Sequence, residues 1–322
     1  MAPMKNVLVL GGTGFVGSHV CEKLVRLGWH VTVPTRKRMH ASHIQHLPGL
    51  TVLELDVHDD AALGRAVLGH DAVVNLVAIL HGNQVSFQRT HVALPTKLAH
   101  ACAVAGVKQV VQLSALGADA LQPELAPSMY LRSKGEGESV LMQAAAGAGA
   151  GAAGTAGFDL TILRPSVIFG AGDKFLNLFA KLQRVFLVMP LAGASARFQP
   201  VWVEDVASAV VRSLQGRSVA TSPRIIEACG PEVFTLKQLV QLAAHLSGLA
   251  GGFGRPVIPL PQWVGRLQAA VLGWAPGEPM MSVDNLDSMK VPSVATGKHP
   301  GLESLGIMAC ALQPIAQDYL TK

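Results

Sequence analysis

A chain of 322 residues is long enough for one large domain or two modest ones with an ample core. Half of it is hydrophobic, 15% is charged and the mean hydropathy is +0.37, an apolar balance that points to extensive buried surface or a greasy contact face. The net charge of +5 is spread out apart from RKR at 36–38, and with aromatics at 5% the interleaved basic and aromatic pattern of nucleic-acid binding is missing.

The N-terminus, MAPMKNVLVLGG, runs straight into a strand pattern and leaves no room for a signal peptide. The most apolar runs, such as AVVNLVAIL at 72–80, fall far short of the roughly 20 residues that span a bilayer. Cys21, Cys102, Cys229 and Cys310 are scattered without CxxC or metal-like spacing, so reduced, buried thiols, a cytoplasmic setting and no metal site are expected.

In chain order, NVLVL (6–10), HVTVPT (30–35), LTVLEL (50–55), AVVNLV (72–77) and KQVVQL (108–113) read as strands. SHVCEKLVRL (18–27) and PTKLAHACAVAG (95–106) read as helices between them. Such alternation predicts an α/β fold: a doubly wound parallel sheet of Rossmann type, with its ligand crevice at the strands' carboxyl ends. DLTILRP (159–165) continues the sheet after the segment SMYLRSKGEGE (128–138), and IIEAC (225–229) is a later strand. AAAGAGAGAAGTAG (144–157) between them reads as a frayed helix end with a flexible insertion. Residues 1–165 therefore form the dinucleotide-binding domain, completed by segments around 200–230, and 166–200 with 231–322 form a smaller C-terminal lobe. In that lobe FTLKQLVQLAAHL (234–246) is a helix with Thr235 as its N-cap, and PQWVGRLQAAVLGW (261–274) an apolar-faced one.

GGTGFVG at 11–17 follows the first strand and opens the first helix. Gly12, Gly14 and Gly17 fit G-x-G-x-x-G, while Gly11, Gly14 and Gly17 fit G-x-x-G-x-x-G. Either way the glycines permit a tight turn, bring backbone close to a pyrophosphate and seat it on a helix N-terminus. In its strand–turn–helix place the match is strong. At the end of the second strand, 19 residues beyond Gly17, stands Arg36. It cannot accept from a ribose 2′-hydroxyl but can pair with a 2′-phosphate, which favours NADP(H) over NAD(H). Asp56 is placed either to accept from the adenine amino group or to cap the helix that begins near Ala61.

The fifth strand ends at Ser114, and Tyr130 and Lys134, at i and i+4, share one face of the next helix. A free phenol has a pKa of about 10. A neighbouring ammonium lowers it, and a serine hydroxyl can hold a carbonyl, so the three could support hydride transfer with a nicotinamide.

GGTGFVG, Ser114, Tyr130-x-x-x-Lys134, LRPSVIFG (163–170) and PVWVEDVA (200–207) together resemble the short-chain dehydrogenase/reductase superfamily, in its extended or atypical branch, over about residues 5–240. Asp205 in the last motif is expected to cap a helix. YLRSKGEGE, the basic RKR and the tail RPVIPLPQWVGRLQ…DNLDSMKVP are most similar to the nucleotide-binding accessory subunit of respiratory complex I and its bacterial epimerase/dehydratase-like relatives. The resemblance implies Tyr130 as acid/base, Lys134 on the nicotinamide ribose and Ser114 orienting substrate. It also implies a cofactor held by Gly11, Thr13, Gly14, Phe15, Val16, Gly17, Arg36, Asp56, Val57, Val77 and Ala78, with Pro165 and Val167 near the ring. Two functions follow: an NADP(H)-dependent oxidoreductase or epimerase/dehydratase-like enzyme acting on a small molecule, or a nucleotide-stabilised accessory or assembly factor of complex I, peripheral to the inner membrane.

Overall fold

The computed structural model describes residues 4–147, 157–216, 222–248, 254–261, 263–267 and 282–320. Strands β1 (Asn6–Leu10), β2 (His30–Thr35), β3 (Leu50–Glu54), β4 (Ala72–Asn75), β5 (Gln109–Leu113) and β6 (Asp159–Pro165) appear where alternation places them, some a residue or two shorter. The short strands β7 (Ile168–Phe169), β8 (Met189–Ala192), β9 (Arg197–Phe198) and β10 (Val201–Trp202) follow, and then β11 (Arg224–Ala228). Seven of these form one parallel sheet in the order β11-β6-β5-β4-β1-β2-β3. The chain runs outward from β1 through β2 to β3, then returns to place β4 on the other side of β1. Adjacent connections leaving in opposite directions open a crevice between the carboxyl ends of β1 and β4.

The two-residue period of a strand divides the core. Val7 and Val9 of β1 face one layer, with Val20, Cys21 and Leu24 of α1 (Phe15–Arg26) and Val206, Val210 and Leu214 of α7 (Val203–Gln215). Leu8 and Leu10 face the other, with α2 (Asp60–Val67), α4 (Leu94–Ala105) and α5 (Met129–Ala145) supplying Leu63, Leu98 and Leu141. Because both faces are covered, β4 can be AVVN with all four residues buried, three of them apolar and Asn75 satisfied by donating to Gln112 at 2.8 Å.

The smaller lobe has a core of its own. Phe179 of α6 (Leu176–Val185), Leu239 and Val240 of α8 (Leu236–Leu246) and Ala316 of the C-terminal helix Leu312–Leu320 meet Leu191 of β8 there. Thr235 caps α8 as expected, in a reciprocal pair with Gln238: each residue's backbone N–H donates to the other's side chain, at 2.7 and 3.2 Å. β12 (Phe234–Thr235) pairs antiparallel with β9, and β8 carries β13 (Val257–Leu260) beside it. Of the apolar segment 261–274, residues 263–267 are helical, and Gln262 and 268–274 lie outside the described residues, as do 148–156 of the Ala/Gly stretch. Among the described residues no helix is long and apolar enough to cross a membrane.

The tail returns to the sheet. Glu227 of β11 donates its N–H to Pro300 O at 2.9 Å, and its carboxylate accepts from the N–H groups of Thr296 (2.7 Å) and Gly297 (3.2 Å). Asp205 is not a helix cap. α7 starts after Trp202, and the buried Asp205 carboxylate in its first turn accepts the Cys310 N–H at 2.8 Å, so it holds the tail rather than its own helix.

Candidate functional site

The glycines at 11–17 are required by contact. Gly11 sits at φ +78°, and a Cβ there would lie 3.1 Å from the Leu76 carbonyl carbon, so the turn presses against the chain leaving β4. At Gly17 a Cβ would meet Gly11 O at 2.2 Å and Gly12 Cα at 2.6 Å, leaving no room for any side chain where α1 packs onto the turn. Gly14 is the N-cap of α1 without a side-chain cap, and no acidic residue occupies the first turn. A helix start left open in this way can hold an anion through backbone N–H groups and the positive end of the helix dipole.

Around the turn stand the other strand ends. Arg36 is exposed just past β2, whereas Arg38 is drawn back onto β3 through its N–H to Glu54 (2.9 Å) and its guanidinium to Val52 O (3.3 Å). Arg36 directly follows β2 and Lys37 is exposed beside it, so both present positive charge at the strand end. Asp56 does not cap α2. Asp59 does, accepting from Ala62 N–H at 2.7 Å, while Asp56 accepts from His58 N–H at 3.0 Å and stands 3.7 Å from Arg89. Val57 and Val77 pack on the core, and the Val77 N–H is tied to Asn75 at 3.2 Å. Ala78 is exposed beside them. Pro165 O and Val167 O accept from Leu116 and Val201, which fixes the chain leaving β6. Thr13, Phe15 and Val16 lie within or directly after the glycine turn, so all these residues share the carboxyl edge of the sheet.

Ser114 follows β5. Its N–H donates to Leu163 O at 2.7 Å, but its buried hydroxyl has no hydrogen-bond partner among the described residues. A buried hydroxyl without a partner is uncommon and marks a place for a ligand or water. Lys134 is 4% exposed and donates to Leu113 O at 2.8 Å. Burial lowers its ammonium from 10.5 to about 8, opposed by the nearby Glu138 carboxylate. Glu138 is itself wholly buried and held by Arg164 in a two-pronged ion pair at 2.9 and 2.5 Å.

Tyr130 behaves differently from expectation. Its phenol is pushed up to about 12 by burial, so Lys134 does not pull it down. The reason is in the packing: the Tyr130 ring lies against Phe87 (6.2 Å between ring centroids) and His91 (5.5 Å), which also touch each other, while the ammonium is engaged with the Leu113 carbonyl.

Two residues that support this helix carry no signal in the sequence. His91 lies in a π-helical turn, Arg89–Ala93, between α3 (Gln84–Gln88) and α4. Ile79 N–H donates to its Nε2 at 3.1 Å, so the proton sits on Nδ1, which faces Ser133 Oγ at 2.9 Å. Ser133 in turn donates to Tyr130 O at 2.9 Å. Burial and the Lys134 charge drive His91 down to about 2, and it stays neutral. Asp284, in the short helix Val283–Ser288, accepts the N–H groups of Met129 at 2.7 Å and Tyr130 at 3.1 Å.

A family model described as the NAD dependent epimerase/dehydratase family matches residues 7–229. The chain belongs to that family. The mouse protein named "NADH dehydrogenase [ubiquinone] 1 alpha subcomplex subunit 9, mitochondrial" is 31% identical over 318 residues, 95% of this chain and 77% of that one. The "NADH-ubiquinone oxidoreductase 40 kDa subunit" of Neurospora crassa is 25% identical over 93% of this chain and 76% of that one. Among solved structures, MoeE5 in complex with UDP-glucuronic acid and NAD superposes with a TM-score of 0.69 at 17% identity, over 98% and 97% of the two chains. At that identity the epimerase/dehydratase likeness shows the fold. Among the described residues of this family member no group of three or more His, Cys, Asp or Glu side chains could hold a metal.

Proposed function

We propose that this epimerase/dehydratase-family chain binds NADP(H) at the carboxyl edge of its sheet and serves as a nucleotide-stabilised component or assembly partner of respiratory complex I. The observation that carries this reading is the extent of the likeness to the mouse subunit: it takes in 95% of the chain, tail included. The open start of α1 behind Gly11, Gly14 and Gly17 suits a pyrophosphate, and the unpartnered Ser114 hydroxyl suits a ligand polar group. Arg36 is the residue we assign to the 2′-phosphate of NADP(H), and Asp56 to the adenine end. An apolar surface on and beside the β8–β13 ribbon, with Phe186, Leu187, Ile258, Trp263 and Leu267 exposed, supports docking to a partner or membrane surface rather than free diffusion.

The second reading is an enzyme, favoured by the Ser114, Tyr130 and Lys134 set. Bound NADP(H) would supply hydride transfer to or from a carbon of a small-molecule substrate. Ser114 would orient the substrate oxygen, Tyr130 would hold its proton, and Lys134 would keep a positive charge at the edge of β5. Against efficient turnover stands the phenol at about 12, a weak acid near neutrality. The deciding experiment is the rate at which NADPH leaves the purified protein, with NADH run beside it. Release over hours supports the structural reading. Rapid exchange, followed by turnover that Tyr130→Phe abolishes without weakening nucleotide binding, overturns it in favour of the enzyme.

A further inference from the structure

α5 begins with three N–H groups that no residue of the helix can satisfy, those of Met129, Tyr130 and Leu131. Ser128, its N-cap, accepts only the third, at 3.2 Å. The other two are taken by one carboxylate from the far end of the chain: Asp284 Oδ1 accepts from Met129 at 2.7 Å and Oδ2 from Tyr130 at 3.1 Å. Two oxygens on two successive amides fix the rotation of the helix start as well as its position, and one of those amides belongs to Tyr130.

The carboxylate is itself well held. Asp284 is 8% exposed, and its short helix is closed by a reciprocal cap between Ser282 and Asn285. From the same helix Ser288 donates to the Ser128 hydroxyl at 2.8 Å. Asn285 reaches the Leu80 carbonyl at 3.5 Å, next to Ile79, whose N–H fixes His91 against the Tyr130 ring. Val291 lies where a Cβ on Gly117, in the loop after β5, would meet it at 3.4 Å. Residues 282–291 therefore touch the start of α5 and the segments that follow β4 and β5. This is more than one helix cap needs.

We infer that Asp284 is a positioning residue for Tyr130, and that through it the C-terminal lobe completes the site rather than merely adjoining it. The inference rests on the nucleotide-site reading only for what the site is for; the placement of Tyr130 can be tested without any nucleotide. The chain holds two tyrosines, so a Tyr319→Phe background leaves Tyr130 as the one phenol seen by ultraviolet titration. Of the ionisable groups around that phenol, His91 from the π-helical turn packs on the ring at 5.5 Å, Asp284 accepts the Tyr130 backbone N–H, and Lys134 on the same helix is bound to Leu113 O.

In that background we would compare the full chain with Asp284→Ala, with Asp284→Asn, which keeps one acceptor oxygen, and with Asp287→Asn. Asp287 is on the same short helix but pairs with Lys290 and Arg266. The readouts are amide hydrogen exchange of Met129 and Tyr130, the titration midpoint of Tyr130, and NADPH affinity by fluorescence. Asp284→Ala is expected to speed exchange of both amides on the order of tenfold or more. It should bring the phenol from about 12 toward the ordinary value of about 10 as the ring loses its burial, with Asp284→Asn intermediate and Asp287→Asn unchanged. A folded Asp284→Ala protein whose Tyr130 titrates as before would overturn the inference, whether or not its amides exchange faster, because a mere cap would suffice. If Asp284→Ala does not fold, Asp284→Asn decides the question on the same two readouts. Absence of NADPH binding in every protein, the unsubstituted one included, would sink the nucleotide reading, and the positioning role of Asp284 would still stand or fall on exchange and titration.

Discussion

Replacing Lys134 with methionine removes a buried ammonium while keeping much of the length and apolar bulk of its stem. In the folded chain that group's pKa falls from 10.5 to about 8, through burial that Glu138 only partly offsets. The unfolded chain therefore holds the proton up to 10.5 and the folded chain releases it near 8. Between those values the unfolded state binds more protons, so this lysine makes stability rise with pH. At 1.36 kcal/mol per pH decade, the gap is worth about 3 kcal/mol. Below its folded pKa the charged lysine weakens the fold by that amount, and the penalty fades as pH climbs toward 10.5. Tyr130, Cys21, Cys102 and Cys229 act in the opposite direction, since burial raises each of them to about 12 and folding is lost as the unfolded groups ionise first. Those groups are common to both proteins and cancel in the difference. Urea unfolding of the native chain and of Lys134→Met, repeated from neutrality to pH 10.5, should show the native protein gaining about 3 kcal/mol on the variant. The lost bond to Leu113 O adds an offset of about 1 kcal/mol that does not vary with pH. A difference that stays flat across the range would refute the reasoning, because Lys134 would then titrate alike in both states.

Three other outcomes follow from the same geometry. Arg36→Ala should weaken NADPH binding about tenfold or more while leaving NADH nearly untouched, as expected for loss of a charge-assisted bond to a 2′-phosphate; equal losses would remove that assignment. Gly17→Ala forces a methyl against Gly11 O and should destabilise the fold by about 1–3 kcal/mol in chemical unfolding, with nucleotide binding lost beside it. Glu138→Ala leaves the Arg164 guanidinium buried and unpaired, about 3–5 kcal/mol destabilising. The double replacement Glu138→Leu with Arg164→Met should recover most of that loss, and no recovery would mean the pair does more than neutralise itself.

The alternating strands, the glycine turn and the chain positions of Ser114, Tyr130 and Lys134 were legible because each is local: a period of two, a run of glycines, a spacing of four. What was not legible is what crosses the chain. Asp284 reaches α5 from 154 residues away, and nothing in VDNLDS distinguishes its carboxylate from that of Asp287, which faces Lys290 and Arg266. Asp56 and Asp59 are both aspartates ahead of α2, and because the helix begins at Asp60 its N-cap is Asp59, a residue not singled out for the role from the sequence. His91 was hidden for another reason. The π-helical turn Arg89–Ala93 shifts side chains off the 3.6-residue period by which helical faces are recognised, so a buried polar residue there carries no periodic signal. The phenol of Tyr130 went the wrong way because spacing along a helix reports which face a lysine occupies, but not which carbonyl its ammonium chooses.

A sheet has two lateral margins, and this one treats them unequally. β3 stands at one margin. At the other, β11 is met at Glu227 by the chain's own C-terminal segment: Glu227 pairs with Gly301 in a parallel bridge, donates to Pro300, and clasps Thr296 and Gly297 with its carboxylate. Free backbone on a flanking strand is an invitation to strand addition by another chain. The tail thus works as a selvage, finishing the fabric so that it does not unravel into its neighbours. A chain shortened before residue 293 would expose that margin together with the core faces that Leu302, Leu312 and Ala316 cover, and should self-associate.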